Sequence, residues 1–136
     1  MVPHAFVDAN LLIRFLTCDT PDRAEATRRL LVKAAAGDVV LHIADLAFAE
    51  VVWVLEKVCK WPRADITAHL PALIGLDGVI VERASVLCHA FSLHGALNID
   101  FIDAYQGALA MDAGVPAIYS KDEDLDRVPG VQRLEP

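Results

Sequence analysis

Phe6-Val7-Asp8-Ala9-Asn10-Leu11-Leu12 is the stretch on which the reading of this chain turns. The apolar run 5–7 is too short for a helix and suits a short buried strand, after which residues 10–16 take up helical apolar spacing. Asp8 stands where the strand gives way to the helix. An acid in apolar surroundings is costly unless it is paired, hydrogen-bonded or bound to a cation. Its simplest role is to cap the helix that follows it. Three further acids have comparable settings. Asp122 follows Ala117-Ile118-Tyr119-Ser120-Lys121, Glu50 lies inside Leu46-Ala47-Phe48-Ala49-Glu50-Val51-Val52-Trp53, and Asp103 lies inside Phe101-Ile102-Asp103-Ala104-Tyr105. Acids converging from distant segments suggest a divalent cation site, because Mg²⁺ and Mn²⁺ favour oxygen ligands.

The rest of the chain alternates in the same way. Thr20-Pro21 opens a helix over 23–36 that stops at Gly37. Residues 39–43 form the next strand, and Asp45 caps a helix over 46–60 with an inward stripe of Val51, Val54, Leu55 and Val58. Trp61-Pro62 breaks that helix, another begins at 63–65, and Pro71 should kink or end it. A strand over 79–81 leads into a helix over 84–94. Asp100 caps a helix over 101–113, which Gly114 terminates, and residues 115–119 make the fourth strand. A short helix over 123–127 and an edge strand over 131–133 complete the chain. Strands alternating with helices predict a parallel sheet covered on both faces, with a site beyond the carboxyl ends of its strands, where all four acids could meet.

Composition narrows the class. With 136 residues, 55% of them hydrophobic, the chain has the size of one globular domain over residues 1–136. No apolar run approaches the ~18 residues of a membrane span, and no signal peptide is evident, so a cytoplasmic protein is expected. Cys18, Cys59 and Cys88 have neither disulfide nor zinc-knuckle spacing and are expected as buried free thiols. The scattered histidines give no zinc motif. A net charge of −7 argues against a broad basic surface for nucleic acid, although Arg14, Arg23, Arg28, Arg29 and Lys33 cluster early. A solvated helix face explains such a run. Alternatively, Arg14, six residues past Asp8, grips a phosphate and Arg23, Arg28 and Arg29 extend that surface.

Four segments in order, Phe6-Val7-Asp8-Ala9-Asn10-Leu11-Leu12, Ala49-Glu50-Val51-Val52-Trp53-Val54-Leu55, Asp100-Phe101-Ile102-Asp103-Ala104 and Tyr119-Ser120-Lys121-Asp122-Glu123-Asp124-Leu125, resemble the PIN domain. More narrowly they resemble the VapC toxins of bacterial and archaeal toxin–antitoxin pairs. Each motif alone is weak, whereas four in this order across nearly the whole chain are specific. The resemblance implies a three-layer α/β/α fold with a central, mainly parallel sheet of four to five strands. It implies a Mg²⁺- or Mn²⁺-dependent endoribonuclease whose acidic quartet is Asp8, Glu50, Asp103 and Asp122. Asp8 and Asp103 would be the firmest ligands. Glu50 and Asp122 would bind a second ion, bind through water, or orient the attacking water. Asn10 and Ser120 match supporting polar positions, and Asp100 and Asp124 are secondary candidates. Family members often carry Ser or Thr shortly before the helical acid, which Ile43-Ala44-Asp45 lacks.

The implied partners are an RNA substrate, a VapB-like antitoxin and a second copy of the chain in a homodimer. The apolar helices 26–36 and 51–58 offer surfaces for such contacts, and core packing explains them equally well. Three rival readings compete with this one. A PIN nuclease acting on DNA flaps or in RNA maturation fits the same residues, but the short chain without an extra domain favours the toxin. A PIN fold kept only for protein binding has no chemical need for the quartet. A signalling receiver domain needs an acidic pair after the first strand and an acceptor aspartate after the third. Here Asp8 precedes Ala9-Asn10, and Val79-Ile80-Val81 leads to Glu82-Arg83.

Overall fold

The computed structural model describes residues 1–17 and 20–136 and divides into two compact units, Met1–Glu82 and Arg83–Pro136. In the first, β1 (His4–Phe6) is followed by helices α1 (Ala9–Thr17) and α2 (Pro21–Ala35), then β2 (Val40–His42), α3 (Asp45–Lys57), α4 (Arg63–Ile74) and β3 (Val79–Ile80). The strands pair in the order β1-β2-β3, all parallel, with Ala5 beside Leu41 and Leu41 beside Val79. Parallel neighbours need long crossovers, and here two helices make each one. The helices bury Leu12, Phe48, Val51, Leu55, Ile66 and Leu70, with Leu41 of β2 among the buried residues. Gly78 has φ +77°, and a Cβ there would collide with the backbone carbonyl of Ala34, so glycine is required where β3 begins.

Several expectations for this unit are corrected. Helix α4 runs through Pro71 without ending. Proline forfeits one backbone bond, and the burial of Ile66, Leu70 and Leu73 on either side offsets that loss. Asp45 is the first helical residue of α3, and Ala44 occupies the cap position. Helix α3 ends at Lys57, so Val58 leaves the inward stripe and is 63% exposed, and Lys60 turns the chain with φ +57°. Thr20-Pro21 opens α2 as expected, although the Thr20 hydroxyl makes no capping bond. Cys59 and Cys88 are exposed free thiols, not buried ones: Cys59 lies beyond the last turn of α3, and Cys88 on the outer face of its helix. Cys18 lies outside the described residues.

The second unit contains α5 (Ala84–Leu97), α6 (Phe101–Asp112), β4 (Ala117–Tyr119), a 3-10 helix (Glu123–Arg127) and β5 (Gln132–Leu134). Helix α5 runs three residues beyond its expected end and stops at Asn98, whose φ of +54° is a left-handed helix terminus. The corner between α5 and α6 is held from inside. The fully buried His94 donates its Nδ1–H to the Ile99 carbonyl at 2.6 Å, and the Phe91 and Phe101 rings lie 4.8 Å apart. Strands β4 and β5 pair parallel, with Ile118 beside Arg133, and the 3-10 helix forms their crossover. Among the described residues, six α-helices and five strands with only parallel pairings make the mixed α/β class read from the sequence. No helix there is long and apolar enough to cross a membrane.

Candidate metal centre

Three acids of the second unit meet. Asp103 stands in the first turn of α6, whose cap position Asp100 occupies without a side-chain capping bond. Strand β4 delivers the chain to Ser120 and Asp122, and the 3-10 helix carries Asp124. The turn between them is fixed by its own hydrogen bonds. The Asp122 N–H donates to Ser120 Oγ at 2.9 Å, and Asp122 Oδ1 accepts the Asp124 N–H at 3.0 Å. Asp103, Asp122 and Asp124 each offer one carboxylate oxygen, and these oxygens all lie within 4.8 Å of one another.

The electrostatics follow from that crowding. Burial pushes the half-buried Asp103 up to about 6, helped by its hydrogen bond to Asp122 and by the charges of Asp122, Asp100 and Asp124. Asp122 moves the other way: the Asp124 N–H holds it down, then the hydrogen bond from Asp103, then the charges of Arg127 and Arg133. Without a cation, Asp103 is therefore the carboxyl of the cluster that holds its proton to the higher pH, sharing it in a hydrogen bond with Asp122. The donor set fits a hard divalent ion. It is all oxygen, and opposed ligands of an octahedral Mg²⁺ stand about 4.2 Å apart, twice a bond of about 2.1 Å. Small side-chain rotations would bring oxygens within 4.8 Å into that range.

Two arginines that the sequence reading passed over border the cluster. Arg127 donates to Asp124 Oδ1 at 3.0 Å and to the Leu97 carbonyl at 2.6 Å. Arg133, from β5, donates to the Ser120 carbonyl at 3.1 Å, to Asp126 at 2.9 Å and to Glu135 at 2.7 Å. The i,i+3 spacing of Asp124 and Arg127 was the available signal. Asp124, a secondary candidate in the sequence, is a full member of the cluster.

The other candidates belong to the first unit. Asp8 is exposed just after β1, and its Oδ2 accepts the Asn10 N–H at 3.2 Å, so it does cap α1. Asn10 is itself exposed, and Arg14 lies in the last turn of α1, half-buried. Glu50 is exposed on α3, whose buried face is Phe48, Val51, Val52 and Leu55. The expectation that Glu50 intrudes on an apolar face is thereby corrected; it shares the exposed side with Trp53. Arg28 forks onto Glu25 at 2.8 and 2.6 Å, so that member of the early basic run is paired within α2.

A family model described as PIN domain matches residues 5–131. That stretch includes all four acids of the expected quartet, and it implies a nuclease-type fold, commonly metal-dependent, in the α/β class expected from the sequence. No curated protein matches the chain.

Proposed function

We propose, since the chain belongs to the PIN domain family, that it is a Mg²⁺- or Mn²⁺-dependent endoribonuclease and the toxin of a VapBC-type pair. The observation that carries this reading is the approach of the Asp103, Asp122 and Asp124 oxygens within 4.8 Å. A bound divalent ion would lower the pKa of water and polarise the phosphoryl oxygen. The chain's own groups supply the rest. Asp103 and Asp8 are the principal ligands. A bound cation would favour the ionised form of Asp103. Asp122 and Glu50 hold a second ion or orient the attacking water. Asn10 supports the Asp8 turn through its N–H, Ser120 supports Asp122, Asp100 and Asp124 add negative charge, and Arg14 grips an RNA phosphate.

A VapB-like antitoxin and a second copy of the chain are the proposed partners, and the cytoplasm is the proposed compartment. An apolar groove of the first unit, lined by Phe15, Leu31, Val32, Ala72 and Leu76, supports docking of an amphipathic antitoxin segment. The test is incubation of total cellular RNA with the purified protein and Mg²⁺ or Mn²⁺, with EDTA in parallel. Discrete fragments that vanish with EDTA are expected. Intact RNA under every condition would contradict the proposal.

A further inference from the structure

Arg127 closes the turn that carries Asp122 and Asp124. Its guanidinium donates at 2.6 Å to the Leu97 carbonyl, more loosely at 3.5 Å to that of Asn98, and at 3.0 Å to Asp124 Oδ1. The last carbonyls of a helix lack intrahelical partners and carry partial negative charge, so the end of α5 is a natural seat for a cation. Asn98 lies three residues before Phe101, where α6 begins and from whose first turn Asp103 projects. One planar group thus fastens the 3-10 helix to the corner from which the Asp103 helix starts.

We infer that Arg127 is a positioning residue, holding Asp124, and with it Asp122, against Asp103 so that the three carboxylates meet a cation as a preformed set. The inference rests on the metal-centre reading and adds to it a side chain that would touch neither ion nor RNA. Charge and geometry act in opposite directions here. As a positive charge near the cluster, Arg127 repels a cation. As a rigid fork between a carboxylate and two carbonyls, it favours one. Lysine keeps the charge and lacks the fork, so Arg127→Lys separates the two effects.

The test is Mn²⁺ affinity, read from the electron paramagnetic resonance of free Mn²⁺, for wild type, Arg127→Lys, Asp124→Asn and the double variant. Arg127→Lys is expected to weaken Mn²⁺ about tenfold, as loss of an outer contact to a ligand does. If Arg127 acts through Asp124, the same change in the Asp124→Asn background adds less than about twofold. Arg127→Gln is measured alongside: loss of charge alone would tighten Mn²⁺, so weaker binding there also marks geometry. Wild-type affinity in Arg127→Lys, or equal losses in both backgrounds, would overturn the inference. Tight, Arg127-dependent Mn²⁺ binding without RNA cleavage would sink the nuclease reading and leave this one standing. RNA cleavage with Mn²⁺ affinity indifferent to Arg127 would do the reverse, and no Mn²⁺ binding in the wild type would overturn both.

Discussion

Asp8 follows β1 and accepts the N–H of the residue two further on at 3.2 Å, and Asp122 follows β4 and does the same at 3.0 Å. Both are exposed, and each stands where a parallel strand passes into a helical turn. Their surroundings in their own units separate them. Asp8 is preceded by the buried Val7, and its side chain caps α1 through the Asn10 N–H. Asp122 accepts a hydrogen bond from a half-buried Asp103, shares the space with Asp124, and feels Arg127 and Arg133. A cap explains why an acid ends a strand. It does not explain why three acids crowd within 4.8 Å with one of them pushed up to about 6, and that crowding is what supports the proposed cation site.

The comparison can be broken in several ways, and the largest expected effect comes from the ion. At ten times its dissociation constant, Mg²⁺ should stabilise the wild type by about 1.4 kcal/mol, or roughly 5 °C in Tm. Thermal melts with and without Mg²⁺ should show most of that shift gone in Asp122→Asn, and a smaller shift than wild type in Asp8→Asn. Equal shifts in all three proteins would remove the distinction between the two turns.

A smaller effect comes from the proton on Asp103. Its folded pKa of about 6 lies above the ordinary 3.8, so the folded state holds this proton more tightly than the unfolded chain does. The stability it contributes is complete below pH 4 and is lost as pH rises through 6. In EDTA, Asp103→Asn should therefore match the wild type near pH 4 and exceed it above pH 6, by about 1 kcal/mol after allowance for solvent screening of a half-exposed group. Denaturant melts across that range check it. A difference that shrinks as pH rises would contradict the crowding.

The smallest effect belongs to the caps. Asparagine can still accept an N–H in such a turn, so Asp8→Asn should melt within a few degrees of wild type, and Asp8→Ala lower than Asp8→Asn. If Asp8→Asn alone unfolds the protein, Asp8 does more than cap α1 and the two turns are less alike than they look.

The fold was legible to the degree that its signals are local. Short apolar runs bounded by Asp77-Gly78, by Gly37 or by Gly114 gave strands and helix ends within a few residues of their observed positions. Pro71 does not end its helix because the burial of Leu70 and Leu73 holds the helix together, and burial depends on partners distant in sequence. Val58 and Cys59 misled because α3 stops at Lys57, one residue before the apolar stripe ends. At the site, Asp103 and Asp122 could be singled out as acids in apolar settings, whereas Asp124 stood only as a secondary candidate through the family resemblance. Arg127 and Arg133 were invisible as neighbours. Arg127 reaches back about thirty residues to carbonyl groups that have no side-chain signature.

The most direct test of a single metal-dependent centre is the RNA cleavage rate with Mn²⁺ for wild type, Asp103→Asn and Asp8→Asn, each checked for folding by its melt. The expected result is a loss of about a hundredfold or more in both variants, as when a metal ligand is removed. Wild-type cleavage by a folded Asp103→Asn protein would contradict the centre outright, and wild-type cleavage by Asp8→Asn would confine the chemistry to the carboxylates of the second unit.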